Sequence, residues 1–138
     1  MSQYRMPGHR NKYYLPKQRY LTAVHYALQY PEWKKELADI CDDTRKAISY
    51  DGDRVQTSNN SDPTYEIAQR RTDLEKRISM IDDLLIQVAP DLSFWLRKGV
   101  CYNYTFYQLR SGENPLPCGR NMYIRIRQEF LYKLSLKI

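Results

Sequence analysis

Between Pro63 and Pro90 the chain carries no glycine and no further proline, and its apolar residues recur at helical spacing. Ile67, Leu74, Ile78, Ile81, Leu85 and Val88 fall 7, 4, 3, 4 and 3 residues apart. That is heptad spacing, interrupted at Arg71 and broadened by Leu84 and Ile86. A strand cannot use such a pattern, because its side chains alternate with a period of two. Asp62 as N-cap, Pro63 at the first helical position and Glu66 in the first turn mark a start, and Pro90 marks the stop. The stretch predicts a helix of roughly 27 residues, about 40 Å long at 1.5 Å per residue. Such a helix is either the spine of one folded chain or half of a coiled coil. In the second case Leu74, Ile78, Ile81 and Leu85 form the seam of a homodimer.

The segments on either side also read as helices. Pro16 suits a first turn, and Tyr20, Leu21, Val24, Ala27 and Leu28 follow at helical spacing. Pro31 opens a second segment with Trp33, Leu37 and Ile40 as its stripe. Two helices are expected, about 17–30 and 31–41, bent at Pro31. Residues 43–63 lose periodicity, and Asp51-Gly52-Asp53 and Ser58-Asn59-Asn60-Ser61-Asp62-Pro63 are turn chemistry. They read as a flexible loop. Beyond Pro90, Asp91 caps a helix carrying Leu92, Trp95, Leu96 and Val100, with Gly99 near its end. Asn103 caps a short helix from Tyr104 to Arg110, and Ser111 to Pro117 is a loop. With 138 residues, a modest core is within reach. The expected fold is all-α, with an N-terminal helical pair, a long central helix and a C-terminal helix-turn-helix-like unit. The expected division is 1–61 for the basic arm, helical pair and flexible loop, and 62–138 for the long helix and the helix-turn-helix-like unit.

The last segment carries the functional signal. After Gly119 nothing breaks a helix before the chain ends. At about 100° per residue, Tyr123, Ile126, Phe130 and Leu134 share one face, and Asn121, Arg125, Gln128 and Tyr132 share the opposite one. Arg120 and Arg127 flank the boundary. Arg pairs with guanine, and Asn or Gln with adenine, so the polar face has the side chains that read base edges. An ordinary solvated face has the same residues. Three helices in succession, the second short and the third polar outside, follow the helix-turn-helix plan, although a seven-residue connection exceeds the usual three or four. In that plan Trp95, Leu96, Phe106 and Leu109 brace Tyr123, Ile126 and Phe130. The N–H groups at Cys118 to Asn121 suit a phosphate, with Arg120 and Arg127 as further phosphate contacts.

Charge points the same way. Residues 1–20 carry five bases and no acid, residues 21–90 carry 9 bases and 13 acids, and residues 91–138 carry 8 bases and 3 acids. Two basic ends around an acidic middle fit a polyanion held by the ends. The arm over residues 1–15, with Arg5, Arg10, Lys12, Tyr13 and Tyr14, suits a phosphate backbone, and it equally suits tyrosines folded back on a core.

Other chemistries find little support. Cys41, Cys101 and Cys118 have no CxxC spacing, and His9 and His25 complete no zinc site, so no metal or cofactor is expected. Three reduced thiols and the lack of a long apolar run lead to the expectation of a cytoplasmic protein, not held in a membrane. Asp82-Asp83 reads as solvated surface, since adjacent residues do not share a helical face. Cys118 beside Arg120 at a helix start is a candidate for a lowered thiol pKa but has no partner base. The chain is not expected to be an enzyme.

Leu116-Pro117-Cys118-Gly119-Arg120, followed by Tyr123, Arg125, Arg127 and Phe130, resembles the end of small regulators encoded by phages of Gram-positive bacteria, of the ArpU and RinA type. The C-terminal part of such regulators is similar to the promoter-reading domain of sigma factors. The resemblance covers about 91–136, and Ile124 stands where a second aromatic is usual. It implies sequence-specific binding to double-stranded DNA in transcription control, with host RNA polymerase as a further partner. The residues expected on DNA are Arg120, Asn121, Ile124, Arg125, Arg127, Gln128 and Tyr132. Two other readings remain at this point. One is a small phage DNA-packaging adaptor. The other is an interaction protein that blocks or redirects a host protein through the acidic central helix.

Overall fold

A computed structural model describes residues 7–49 and 63–138, and every regular element among them is helical. The order is α1 (Lys17–Leu28), α2 (Tyr30–Ser49), α3 (Pro63–Val88), α4 (Ser93–Cys101), α5 (Phe106–Arg110) and α6 (Arg120–Lys137). The all-α class, the N-terminal pair, the long central helix and the C-terminal helix are as the sequence predicts. The pair breaks at Gln29, because Pro31 has no N–H to give and its ring clashes with the carbonyl four residues back. α2 runs on to Ser49, past the loop start expected at residue 43. Arg45, Lys46 and Ala47 favour helix, and no glycine or proline intervenes before Gly52. The rest of that expected loop, 50–62, lies outside the described residues, as does the Asp62 cap.

The compact units divide the chain elsewhere than at the expected 61/62 boundary. One unit holds residues 32–79, and the other holds residues 1–31 with 80–138. The first is a helical hairpin of α2 and α3. Arg77 lies over the Trp33 ring, and Arg70 grips the Glu36 carboxylate with two N–H groups, at 2.6 and 3.0 Å. Pairing 33 with 77 and 36 with 70 makes the helices antiparallel. Trp33, Leu74 and Ile78 are buried there. The Arg70 bond holds the Glu36 carboxyl below its ordinary range.

The second unit is built around α6. Its helix packs on α1 and on α4, α1 also packs on α4, and α4 packs on α5. α1 buries Tyr20, Ala23 and Ala27, at spacings of 3 and 4, and its two alanines allow a close neighbour. From α6 come Tyr123, Ile126, Phe130, Leu131 and Leu134, all buried. Ile81, Leu84 and Leu85 from the end of α3 join the same core. Gly99 is required where it stands: a Cβ there would overlap the Tyr123 hydroxyl.

Several start signals differ from expectation. Leu92, not Asp91, precedes α4, and no side chain caps it. Asn103 does not cap α5; it takes a left-handed φ of 58° in the turn before. The cap is Thr105, whose hydroxyl accepts from the Gln108 N–H at 3.1 Å while the Gln108 side chain accepts from the Thr105 N–H at 2.7 Å. The α3 stripe is internal. Leu74, Ile81 and Leu85 are 0 % exposed and Ile78 is 7 % exposed within a single chain. The expected dimer seam through these four residues is therefore corrected: they are core, and using them as a seam would require unpacking it.

Candidate nucleic-acid interface

α6 presents one face of its first two turns to solvent, at Arg120, Asn121 and Arg125. Gly119 is its N-cap residue and offers no side chain to the first turn. Behind it, the connection 111–119 is tied down in spite of its length. The Leu116 N–H donates to the Leu109 carbonyl at 2.8 Å, and Leu116 is buried. Arg110 donates to the Cys118 carbonyl at 2.9 Å, and the Trp95 indole donates to the Asn114 carbonyl at 3.0 Å. Trp95 thus holds the loop, while the bracing of α6 by α5 comes from Phe106, stacked on Tyr123 with centroids 6.0 Å apart.

Of the seven residues expected on DNA, Arg120, Asn121 and Arg125 are exposed and Ile124 is half-buried. Gln128 and Tyr132 are also half-buried, and both meet the N-terminal arm. Asn11 donates its side-chain amide to Gln128 Oε1 at 3.3 Å. The Tyr13 ring lies against Tyr132, centroids 5.7 Å apart. Pro7 and Leu15, on either side of Asn11 and Tyr13 in the chain, are buried. Between arm and helix runs an open groove of about 440 Å³. Asn11, Lys12 and Tyr13 form one wall; Asn121, Ile124, Arg125 and Gln128 form the other.

Arg127 is a correction. It is only 6 % exposed, and its Nη1 donates to the buried Tyr20 hydroxyl at 3.0 Å. It belongs to the contact between α6 and α1, so it is not at the surface where a phosphate would meet it. Cys118 is a second correction. Burial pushes its thiol above the ordinary range, outweighing the opposite pull of Arg110. Asp82 is a third, because it is no free surface carboxylate. It accepts from the Tyr30 hydroxyl at 2.8 Å and from Arg97 Nη2 at 3.0 Å, tying α2, α3 and α4 together. Burial and then the Asp82 bond raise the Tyr30 phenol above its usual range. The sequence shows the basic arm, but nothing in it says that the arm lies beside α6.

Among the described residues no group of three or more histidine, cysteine or carboxylate side chains is placed to hold a metal ion. No helix among them is long and apolar enough to cross a membrane. Comparison of the chain with models of protein families, with characterised proteins and with solved structures gave no match.

Proposed function

We propose that the protein binds double-stranded DNA with sequence preference through the first half of α6, and that it acts as a phage-type transcription regulator. One observation carries the reading: Asn121 and Arg125 stand exposed, one turn apart, on a helix whose other face is fixed in the core, beside a basic arm that lines the same groove. Arg and Asn are the side chains that bond bidentately to guanine and adenine edges. The exposed bases Arg10, Lys12 and Arg120 supply the positive surroundings that a polyanion requires. The likeness of residues 116–130 to phage late-gene activators supports the regulatory role, with host RNA polymerase as the second partner.

Selection of bound sequences from a random duplex pool tests this. A regulator should prefer a short site by roughly 10³-fold or more over random DNA. Arg125→Ala should then lose about 1–3 kcal/mol on that site and relax preference at one position, without loss of helical signal. Binding of equal strength to all duplexes would favour a packaging adaptor. An absence of binding would leave an interaction protein as the better reading.

A further inference from the structure

The arm decides which part of α6 can reach bases. A helix with its side chains is about 10–12 Å across, and the major groove of B-DNA is about 12 Å wide. The helix alone fills the groove, so no second chain segment can lie in it alongside. Yet residues 11–13 lie along the second half of the polar face, bonded to Gln128 and set against Tyr132. On that half Gln128 and Tyr132 each touch the arm and are half-buried, with Gln128 at the edge of the groove. The first half, from Asn121 to Arg125, carries no such cover and opens onto the groove shared with Lys12.

We propose that arm and helix form a two-part DNA clamp. α6 enters the major groove by its first two turns, with Asn121, Ile124 and Arg125 at the bases. Lys12 rests on the phosphodiester strand that borders the groove. Gln128 and Tyr132 do not read bases; they hold the arm in place. Asn121 and Arg125 are four residues apart, about 6 Å along the axis, and stacked base pairs repeat every 3.4 Å or so. Each copy of the chain therefore reads only two or three adjacent base pairs. This deepens the DNA-binding reading above and rests on it.

The test uses the full chain and duplexes selected from a random pool, titrated at three salt concentrations. Wild type should show preference confined to two or three adjacent base pairs per bound copy. Lys12→Ala should weaken preferred and scrambled duplexes alike and lower the slope of log affinity against log salt by about one unit. Gln128→Ala should weaken all duplexes by the same factor while the preferred bases stay unchanged. Tyr13→Ala, which removes the contact with Tyr132, should behave as Gln128→Ala does, with helical content kept. A change of preferred base in Gln128→Ala, or a salt slope left intact by Lys12→Ala, overturns the clamp while DNA recognition stands. If wild type itself shows no preference among duplexes, the parent reading fails and the clamp fails with it.

Discussion

Arg127 shows how residue type can mislead where position does not. On a wheel it stands about 40° from Tyr123 and about 20° beyond Leu134, at the edge of the apolar stripe. Its charge argues for the surface, yet α6 packs on both α1 and α4 and so buries a wider arc than one neighbour would require. Tyr20, on α1, supplies the hydroxyl that accepts from it. Arg127→Ala should cost about 2–4 kcal/mol of stability, from lost packing and a lost charged hydrogen bond, as read in urea unfolding. Unchanged stability with a lowered salt slope on DNA would return Arg127 to the phosphate role. Cys101 gives a second test at this scale. Burial is the main cause that pushes its thiol from 9.0 up to about 12, with Arg97 pulling the other way and Asp82 adding a little. The folded chain keeps the proton longer than the unfolded one. Its contribution to stability is thus full below pH 9 and is lost as pH rises toward 12. Between about pH 8.5 and 10.5, wild type should lose on the order of 2 kcal/mol more stability than Cys101→Ala does. Parallel curves for the two proteins would show that the thiol is not held in this way. Gly99 illustrates what no pattern announces: it must be glycine because Tyr123, 24 residues later, lies over it.

At the scale of elements, long periodic stretches were the legible ones. α3 begins at Pro63 and ends at Val88, where the proline signals put it. α6 buries Tyr123, Ile126, Phe130 and Leu134, the stripe that the spacing predicts. Short elements depend on single side chains, and there the competing signals were harder to rank. The Asn103 signal for α5 is a generic cap preference. Thr105-Phe106-Tyr107-Gln108 is the more specific one, a capping box with both reciprocal bonds. It stands two residues after Asn103, inside the span that the Asn103 signal assigns to the helix. A five-residue helix has little other local support. Thr105→Ala should remove the bond that the hydroxyl accepts from the Gln108 N–H, leave the reciprocal bond from the residue 105 backbone N–H, and cost about 0.5–2 kcal/mol, with Thr105→Ser restoring most of it. Equal stability of the two variants would mean that packing of Phe106 on Tyr123 holds α5 without the cap. The overlong loop after α5 is likewise explained by tertiary bonds, from Arg110 and Trp95, that no local rule reveals.

At the scale of the molecule, charge was legible but adjacency was not. The two basic ends are far apart in sequence, and the packing of α1 on α6 with the Asn11–Gln128 bond brings them to one place. Nothing in spacing or composition encodes that meeting, because it depends on which apolar faces find each other. The α3 stripe posed the same problem in another form: heptad spacing is equally good for a core and for a seam. The structure buries Leu74, Ile78, Ile81 and Leu85 inside one chain, while Ile67 and Ile86 on the same helix are 48 % and 53 % exposed. Those two classes give a test that needs no knowledge of partners. A carboxylate at a buried position must be desolvated or protonated, and either cost is comparable to the whole stability of a chain this size. Ile78→Asp with Ile81→Asp should therefore abolish cooperative unfolding and most of the helical signal. Ile67→Asp with Ile86→Asp should unfold much as wild type does, within about 0.5 kcal/mol per site. Circular dichroism melts and sedimentation on the two double variants decide it. A soluble, fully helical monomer from Ile78→Asp with Ile81→Asp, against a dimeric wild type, would make the stripe an intermolecular seam after all.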